Sequence, residues 1–254
     1  MNCPRAVIFD LDGTLAWSKQ AVTPEMGEHL AHLLHHTKAA VMSGGSYTQF
    51  QKQLLPAFPP HTVMENFFLF PTNAAQCWQY ESGEWVLRYD TSFSKEESAH
   101  VMSVLLQALK ETGMDTPSYR LWGERIEDRG PQITFSGLGQ EAPLEEKKKW
   151  DPDFTLRTPL AALLRERLPE FAIGVNATTS IDITRKGITK AYGVQEFAKI
   201  LDCEPANMLY IGDALFLGGN DSVVIPTGVQ TFSVENPHQT AQKIEEIIAQ
   251  CSVV

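Results

Sequence analysis

The chain has 254 residues, 43% of them apolar, which is enough for a substantial buried core and for two domains. It carries 31 acidic and 21 basic side chains, and the net charge of −10 argues against nucleic acid or an anionic membrane as the main partner. No apolar run reaches the roughly 20 residues that cross a bilayer. The four cysteines show no CxxC spacing and no secretory leader is recognised, so we expect free thiols and a cytoplasmic location.

The first predicted element is a buried strand, Ala6 to Phe9, that delivers two carboxylates, Asp10 and Asp12, at its carboxyl end. Side chains two positions apart on a strand lie on the same face. Neighbouring carboxylates repel each other unless a cation lies between them, and oxygen ligands favour Mg²⁺. Gly13 and Thr14 then let the chain turn away. The segment predicts a magnesium site at a sheet edge, although an ordinary strand-to-turn connection could carry the same residues.

A histidine-containing helix follows this strand. His29, His32 and His36 share one helix face, a spacing that could suggest a metal site. The apolar face of the same helix contains leucines, so we predict that these histidines face solvent instead.

A second strand, Ala39 to Met42, ends in the turn Ser43-Gly44-Gly45-Ser46 before a helical pattern. Backbone N–H groups of a glycine-rich turn and a helix N-terminus attract anions. Ser43 adds a hydroxyl donor for a phosphate, with Ser46 as the second choice for that role. A plain turn remains the alternative.

The next part of the chain predicts a hairpin and then a mixed α+β insertion. Phe67 to Phe70 forms a third strand, and residues 75–80 and 84–89 form the hairpin, in which Trp78 and Trp85 are predicted cross-strand partners. Ser94 and Glu97 form a capping box for a helix over 94–112. The remaining predicted elements are two short strands within 119–135, helices at 143–151 and 157–167, and strands at 170–175 and 179–184.

Alternating α and β elements resume near residue 189. Lys190 lies in a predicted helix over 189–201, where it could neutralise a phosphate or a phospho-enzyme. The strand Met208 to Ile211 ends in Gly212-Asp213, and Asp221 follows eight residues later in a glycine-rich loop that would complete a metal site. The pattern predicts an α/β core of residues 1–90 and 189–254, interrupted by an α+β domain of residues 91–188.

This order of motifs resembles the haloacid-dehalogenase-like (HAD) phosphotransferase superfamily, which has a Rossmann-like core with a mostly parallel sheet between helices. The resemblance implies that Asp10 is a nucleophile that becomes an aspartyl phosphate, and that Asp12 is the general acid/base. It also implies that Mg²⁺ is held by Asp10, Asp12 through its backbone carbonyl, and Asp213, with Asp221 orienting the metal shell. Ser43 and Lys190 would hold the transferring phosphoryl group. The chemistry agrees independently, because phosphoryl transfer needs a positioned nucleophile, an in-line leaving group and cations around the phosphoryl oxygens.

In that superfamily an insertion between the serine and lysine motifs is a C2-type cap, so the resemblance implies such a cap over residues 91–188. Five stretches resemble the eukaryotic-type phosphomannomutases more specifically. They are Lys19-Gln20, Gly44-Gly45-Ser46, Ile126-Glu127-Asp128-Arg129-Gly130-Pro131, Ser180-Ile181-Asp182 followed by Gly187-Ile188-Thr189-Lys190, and Gly212-Asp213 to Gly218-Gly219-Asn220-Asp221. The resemblance implies that Lys19, in place of the family's arginine, binds phosphate. It also implies that Gly44 and Gly45 line the substrate site, and that Ser180 and Asp182 contact sugar hydroxyls.

The chain departs from that family where the cap would grip the phosphate that is not reacting. The family has three arginines, spaced by eleven and then seven positions, and this chain has Arg129, Gln140 and Lys147. An arginine grips phosphate with a bidentate fork, whereas lysine is a point charge and glutamine offers only neutral donors. Weaker cap binding would favour release and hydrolysis of a bisphosphate intermediate.

The resemblance predicts Mg²⁺-dependent phosphoryl transfer on a hexose phosphate, led by interconversion of the 1- and 6-phosphates with a hexose 1,6-bisphosphate activator. A sugar-phosphate phosphatase that uses the same Asp10 and Asp12 is the close alternative. A catalytically silent sugar-phosphate-binding relative is the remote one, and the intact Asp10, Asp12, Lys190 and Asp213 argue against it. We expect a small sugar phosphate as partner, neither nucleic acid nor membrane, and a cap-mediated homodimer by family resemblance.

Overall fold

Two compact units make up the chain. The computed structural model describes residues 3–18, 20–176 and 178–252, so Lys19 lies outside the described residues. One unit comprises Met1–Asp90 together with Ile188–Val254, and the other comprises Thr91–Gly187. The second segment of the first unit therefore begins at Ile188, one residue before the boundary expected from the sequence.

A seven-stranded sheet with helices on both faces forms the first unit. The strand order is β11-β10-β1-β2-β3-β4-β5; the first five run parallel, and the hairpin of β4 and β5 adds antiparallel strands at one edge. Its strands are β1 (Ala6–Phe9), β2 (Lys38–Met42), β3 (Phe67–Phe70), β4 (Gln76–Glu81), β5 (Glu84–Asp90), β10 (Met208–Gly212) and β11 (Gln230–Ser233). Its helices are α1 (Pro24–Leu34), α2 (Tyr47–Gln53), the short α3 (Pro71–Ala74), α7 (Lys190–Ile200) and α8 (Pro237–Cys251).

The central strands of this sheet are apolar in continuous runs because both of their faces are covered. Alternate residues of β1 and β2 enter two separate apolar clusters. One cluster packs against α1, α2 and α8, and the other packs against α7. This three-layer arrangement confirms the predicted α/β class with a mostly parallel sheet.

The second unit is an antiparallel sheet with helices on one face. The strand order is β6-β7-β9-β8, and the apolar face of the sheet packs against two amphipathic helices. The predicted capping box of Ser94 and Glu97 is present at the start of the first of these helices. The elements are α4 (Lys95–Glu111), β6 (Ile126–Asp128), β7 (Gln132–Ser136), α5 (Leu144–Trp150), α6 (Arg157–Arg167), β8 (Phe171–Asn176) and β9 (Ser180–Arg185).

Two local expectations are wrong. Trp85 pairs with Tyr80 across the hairpin and Trp78 pairs with Leu87, because the two-residue turn sets Glu81 opposite Glu84. Trp78 stacks on Tyr47, with ring centroids 4.1 Å apart. Cys3 and Cys251 form a disulfide across 248 positions, whereas Cys77 and Cys203 are free. Spacing along the sequence cannot reveal such a pairing, since it depends on where the chain ends meet in space. Among the described residues, none of the helices is long and apolar enough to cross a membrane.

Candidate active site

Three functional side chains follow three adjacent parallel strands. Strands β10, β1 and β2 are neighbours in the sheet, and their carboxyl ends lead into Asp213, Asp10 and Ser43. The backbone continues to pair just beyond the strands, because the Asp10 N–H donates to the Ile211 carbonyl at 3.0 Å and the Ser43 N–H donates to the Phe70 carbonyl at 3.2 Å. The topology thus brings these residues to one sheet edge, where ligands bind in open α/β folds.

Lys190 joins two buried carboxylates. Its Nζ donates to Asp10 Oδ1, and also to Asp221 Oδ1 at 2.6 Å. The Lys190 side chain is 1% exposed and that of Asp221 is 0% exposed, so water does not replace these contacts. Asp221 Oδ1 also accepts from the Tyr210 hydroxyl at 2.6 Å, and Asp221 Oδ2 accepts from the Ala214 N–H at 3.1 Å. The result is a buried polar network with a cation at its centre.

The electrostatics of this network follow from burial and from like charges. Burial raises the pKa of Asp10 to about 6; Lys190 opposes this shift, while Asp221 and Asp213 add to it. Burial by itself would lower the pKa of Lys190, yet Asp10 and Asp221 hold it above its usual value. Burial and the nearby Asp221 also raise the pKa of Asp213. Lys190 is therefore a permanent cation, and Asp10 is mostly ionised only above about pH 6.

Three carboxylates in this network could hold a divalent cation. Ligand oxygens of Asp10, Asp213 and Asp221 all lie within 4.8 Å of one another. Gly13, at φ +88°, allows Asp213 to approach, since a Cβ there would collide with the Asp213 carboxylate. Both Asp221 oxygens already accept hydrogen bonds, so Asp221 fits the role of a supporting residue better than that of a direct ligand. This oxygen-only donor set fits Mg²⁺.

Asp12 is tied to the first helical segment after the Ser43 turn. Its Oδ1 accepts a hydrogen bond from Gln53 Nε2 at 3.3 Å, and that same Nε2 donates to the Gln20 carbonyl at 2.7 Å. Gln53 in turn accepts at its Oε1 from Gln49 at 2.9 Å. Gln53 is buried, and its contacts therefore fix one orientation for the Asp12 carboxylate.

The Ser43 turn packs against an unusual backbone segment. Ser43 Oγ accepts from the Gly45 N–H at 3.2 Å, whereas the Ser46 hydroxyl caps α2 by accepting from the Gln49 N–H at 3.3 Å. Thr72, Asn73 and Ala74, which follow β3, have φ values of +52°, +55° and +68°. The N–H groups of Thr72 and Asn73 donate to the carbonyls of Gly45 and Ser43. A residue with a side chain destabilises the folded state by roughly 1–2 kcal/mol when its backbone lies in this left-handed region, and such strain tends to occur at functional sites.

In the second unit, the predicted sugar-contacting residues lie on the polar face of the sheet. Ser180 and Asp182 are two positions apart on β9 and pair with Ser136 and Thr134 of β7. Thr134 Oγ1 donates to Asp182 Oδ1 at 2.9 Å and accepts from Gln132 Nε2 at 2.8 Å. The Ser180 carbonyl accepts from Arg157 Nη1 at 3.3 Å, so its backbone is anchored by a buried guanidinium.

The three positions that resemble phosphate-gripping arginines have different surroundings. Arg129 donates through Nε and Nη2 to Glu127 Oε2, at 2.9 and 2.6 Å. Lys147 Nζ donates to the backbone carbonyl of Gln140 at 2.9 Å, which brings those two positions together. Gln140 Nε2 is buried and has no hydrogen-bond partner among the described residues. A buried amide N–H without an acceptor costs about 1–3 kcal/mol, so this position is suited to a ligand or water oxygen.

Sequence reasoning missed several residues of this site. Tyr210 lies within an apolar strand, where a single phenol gives no local signal of a carboxylate partner. Gln53 ends a short polar helix and reaches Asp12 only through the tertiary fold. The left-handed residues Thr72 to Ala74 follow Pro71, but nothing in that segment resembles the glycine that such backbone normally needs.

Comparison with known proteins identifies the family. The family model for eukaryotic phosphomannomutase matches residues 26–250. Phosphomannomutase 2 of Dictyostelium discoideum is 25% identical over 240 residues, which cover 92% of each protein. The phosphomannomutase of Schizosaccharomyces pombe is 25% identical over 249 residues, covering 95% of this chain and 93% of that protein.

Solved structures support the fold. A haloacid dehalogenase-like hydrolase from Bacteroides thetaiotaomicron superposes with a TM-score of 0.68 at 16% identity, over 96% of this chain and 99% of that one. The IMP-nucleotidase of Plasmodium falciparum gives a TM-score of 0.72 at 15% identity, over 96% of this chain and 61% of that one. At these identities the likeness establishes a shared fold.

Proposed function

This chain belongs to the eukaryotic phosphomannomutase family within the HAD-like phosphotransferases, and from that premise we propose that it interconverts hexose 1- and 6-phosphates through an aspartyl phosphate on Asp10. The observation that carries the proposal is the contact of a fully buried lysine with the Asp10 carboxylate at the carboxyl edge of the sheet. A site that only bound sugar phosphates would not need a desolvated carboxylate held at this position.

Asp10 supplies the nucleophilic oxygen in the proposed reaction. A new bond forms between this oxygen and phosphorus while the bond from phosphorus to the sugar oxygen breaks. Asp12 gives its proton to the departing sugar oxygen, a contribution of roughly 10²–10⁴-fold. In the second half-reaction the free hydroxyl of a hexose monophosphate attacks the phospho-aspartate, Asp12 takes up that hydroxyl's proton, Asp10 is released as a carboxylate, and the hexose 1,6-bisphosphate forms.

The neighbouring residues position and stabilise this chemistry. Gln53 holds the Asp12 carboxylate in one orientation. Ser43 and Lys190 bind oxygens of the transferring phosphoryl group; Ser43 is favoured over Ser46 because it directly follows β2, the strand beside β1 and Asp10. Gly44 and Gly45 leave the turn open to the phosphate.

Mg²⁺ fits the oxygen-only site. Asp10, the Asp12 backbone carbonyl and Asp213 would hold it, with Asp221 supporting Lys190 and the loop around Ala214. When bound, a Mg²⁺ ion neutralises negative charge on the phosphoryl oxygens. A hexose 1,6-bisphosphate would load Asp10 with its first phosphoryl group.

The cap residues decide between isomerisation and hydrolysis in this proposal. Arg129, Lys147 and Lys19 supply cations for the phosphate that does not react, and Ser180 and Asp182 bind sugar hydroxyls. Gln140 supplies only a neutral N–H at the second arginine position of the family. The weaker grip favours the second candidate function, a sugar-phosphate phosphatase, in which water attacks the phospho-aspartate in place of a sugar hydroxyl.

The deciding experiment follows products by phosphorus NMR. The protein is incubated with Mg²⁺, mannose 1-phosphate and a trace of hexose 1,6-bisphosphate. Mannose 6-phosphate without inorganic phosphate is the expected product for the mutase. Release of inorganic phosphate as the main product would instead establish the phosphatase, and the absence of both would refute the enzymatic proposal.

Replacing Asp10 by Asn tests the covalent mechanism. The amide has no anionic oxygen, so we expect isomerisation and hydrolysis both to fall to background. Asp202→Asn is the matched control, because Asp202 is exposed and lies in the turn after α7. Turnover in the Asp10 variant near the level of the control would refute the aspartyl-phosphate mechanism.

Replacing Gln140 by Arg tests the role of the cap. A charge-assisted contact to phosphate is worth about 1.5–3 kcal/mol, so the ratio of isomerised to hydrolysed product should rise by roughly 10-fold or more. Gln107→Arg adds the same charge on the exposed surface of α4 and should leave the ratio unchanged. Equal ratios in the two variants would mean that Gln140 does not control the outcome.

We also propose a homodimer formed through the cap and a cytoplasmic location, both from family resemblance. Light scattering at several concentrations tests the first, and a monomer throughout would exclude it. The disulfide between Cys3 and Cys251 is unusual for a reducing compartment. Thiol labelling in intact cells tests the second proposal, and a fully oxidised pair would count against it.

A further inference from the structure

We infer that the first unit carries a second metal site, formed by Glu28 and His32 of α1 and His61 of the loop between α2 and β3, that takes Zn²⁺ or a similar transition-metal ion. One ligand atom from each of these three residues lies within 4.8 Å of the other two. Glu28 Oε2 and His61 Nε2 are 3.6 Å apart. The cluster consists of residues outside the catalytic network.

The donor set selects the metal. Two imidazoles and one carboxylate are typical ligands of Zn²⁺, which binds four ligands in a tetrahedron and often keeps water in one position. Mg²⁺ prefers oxygen donors and would not compete well here. Zn–N and Zn–O bonds of about 2.0–2.1 Å imply ligand atoms about 3.4 Å apart. The three side chains are exposed, so rotation of their χ angles can close the remaining gap.

The backbone beneath these side chains is fixed. Glu28 and His32 are four positions apart on a helix, which puts them on the same face one turn apart. Gly27 brings α1 directly against the Ala57 carbonyl, where a Cβ would collide with that oxygen. The turn that carries His61 is closed by Thr62, whose hydroxyl donates to the Pro59 carbonyl at 2.6 Å. Two elements that bear ligands are thus held at a set distance.

The surroundings favour a cation and give it access. A groove of about 530 Å³ opens beside Glu28 and His32 and is also lined by Glu25, His29 and Glu245. Glu245 lies 3.7 Å from His29, so the adjoining charge is mainly acidic. The prediction of solvent-facing histidines holds for His32 of α1 and for His36 just beyond that helix, which are both exposed. A surface metal site needs such exposed ligands.

Zinc titration in the presence of saturating Mg²⁺ tests this site, since Mg²⁺ then occupies the acidic site. We expect one equivalent of Zn²⁺ to bind the wild-type chain, measured by competition with a chromophoric chelator. His61→Ala and His32→Ala should each weaken that equivalent by at least about 10-fold, because losing a ligand costs more than losing a ligand's hydrogen-bond partner. His36→Ala is the control, as an exposed histidine beyond the end of the same helix, and should bind like the wild type.

A second readout separates this site from the catalytic one. Co²⁺ bound by imidazoles in a tetrahedral site gives visible absorption bands that should disappear in His61→Ala and persist in Asp213→Asn. Failure of the proposed enzyme activity would leave this result unaffected. The proposal is overturned if the wild type binds no Zn²⁺ under these conditions, or if His61→Ala and His32→Ala bind it as tightly as His36→Ala.

Discussion

Replacing Lys190 by Met removes the cation from the buried network while keeping an unbranched side chain that reaches as far as Cε. Asp10 and Asp221 would then face each other without their shared donor, at side-chain exposures of 6% and 0%. Removing one partner of a buried ion pair costs about 3–5 kcal/mol, because the remaining charge has neither water nor a counter-ion. At about 2–4 °C per kcal/mol for units of this size, the melting temperature should fall by about 6–20 °C.

The destabilisation caused by Lys190→Met should grow as the pH rises. Burial raises the pKa of Asp10 to about 6 with Lys190 present, and loss of the lysine raises the pKa further. A carboxylate with a raised pKa in the folded state stabilises the fold at low pH, and this contribution is lost as the pH rises through the folded pKa. In the Lys190→Met variant the folded pKa of Asp10 is higher still, so this stabilising contribution goes on being lost at higher pH than in the wild type. The difference from wild type should therefore be small at about pH 5 and large at about pH 8.

Calorimetric unfolding at both pH values measures the effect, without added Mg²⁺. Lys199→Met is the matched control: it lies on the same helix, its side chain is 70% exposed, and its ion pair with Glu196 is worth under about 1 kcal/mol. The reasoning fails if Lys190→Met destabilises no more than this control does. It also fails if the destabilisation is the same at both pH values.

Two further predictions concern the same network. Tyr210→Phe removes a buried hydroxyl that donates to the Asp221 carboxylate, so the free energy of unfolding should fall by about 1.5–3 kcal/mol in denaturant titrations. Tyr80→Phe, on the surface hairpin, is the control and should change that free energy little. Equal values for the two variants would contradict a stabilising role for the Tyr210 hydroxyl. Mg²⁺ affinity, measured by calorimetry, should strengthen as the pH rises through about 6, because the metal must displace the proton from Asp10; a flat profile would exclude Asp10 as a ligand.

The sheet edge that carries the candidate site was predictable because its signals are local. Asp10, Ser43 and Asp213 each follow an apolar run, and parallel strands place their carboxyl ends together. The hairpin, the capped helix α4 and the strands of the second unit are likewise set by turn residues and by periodicity, and the structure confirms them. The resemblance then identified the family, which the comparisons confirm.

The site residues that the sequence did not predict depend on contacts between distant parts of the chain. Tyr210 reaches Asp221 only because a loop folds back over the end of β10, and Gln53 meets Asp12 across 41 positions. The pairing of Trp78 was wrong for a local reason: the two-residue turn sets Glu81 opposite Glu84, and this register places Leu87 opposite Trp78. Cap residues such as Gln140 stay predictions, since their role depends on a substrate.

The disulfide between Cys3 and Cys251 changes how the chain is connected. The first unit is built from two separate segments, which along the backbone are joined only through the inserted unit. With its ends bonded, the chain forms a closed loop, so a single cut anywhere in the insertion leaves both core segments in one covalent molecule. The insertion can therefore be nicked, or replaced by another domain, without β1 and α7 separating.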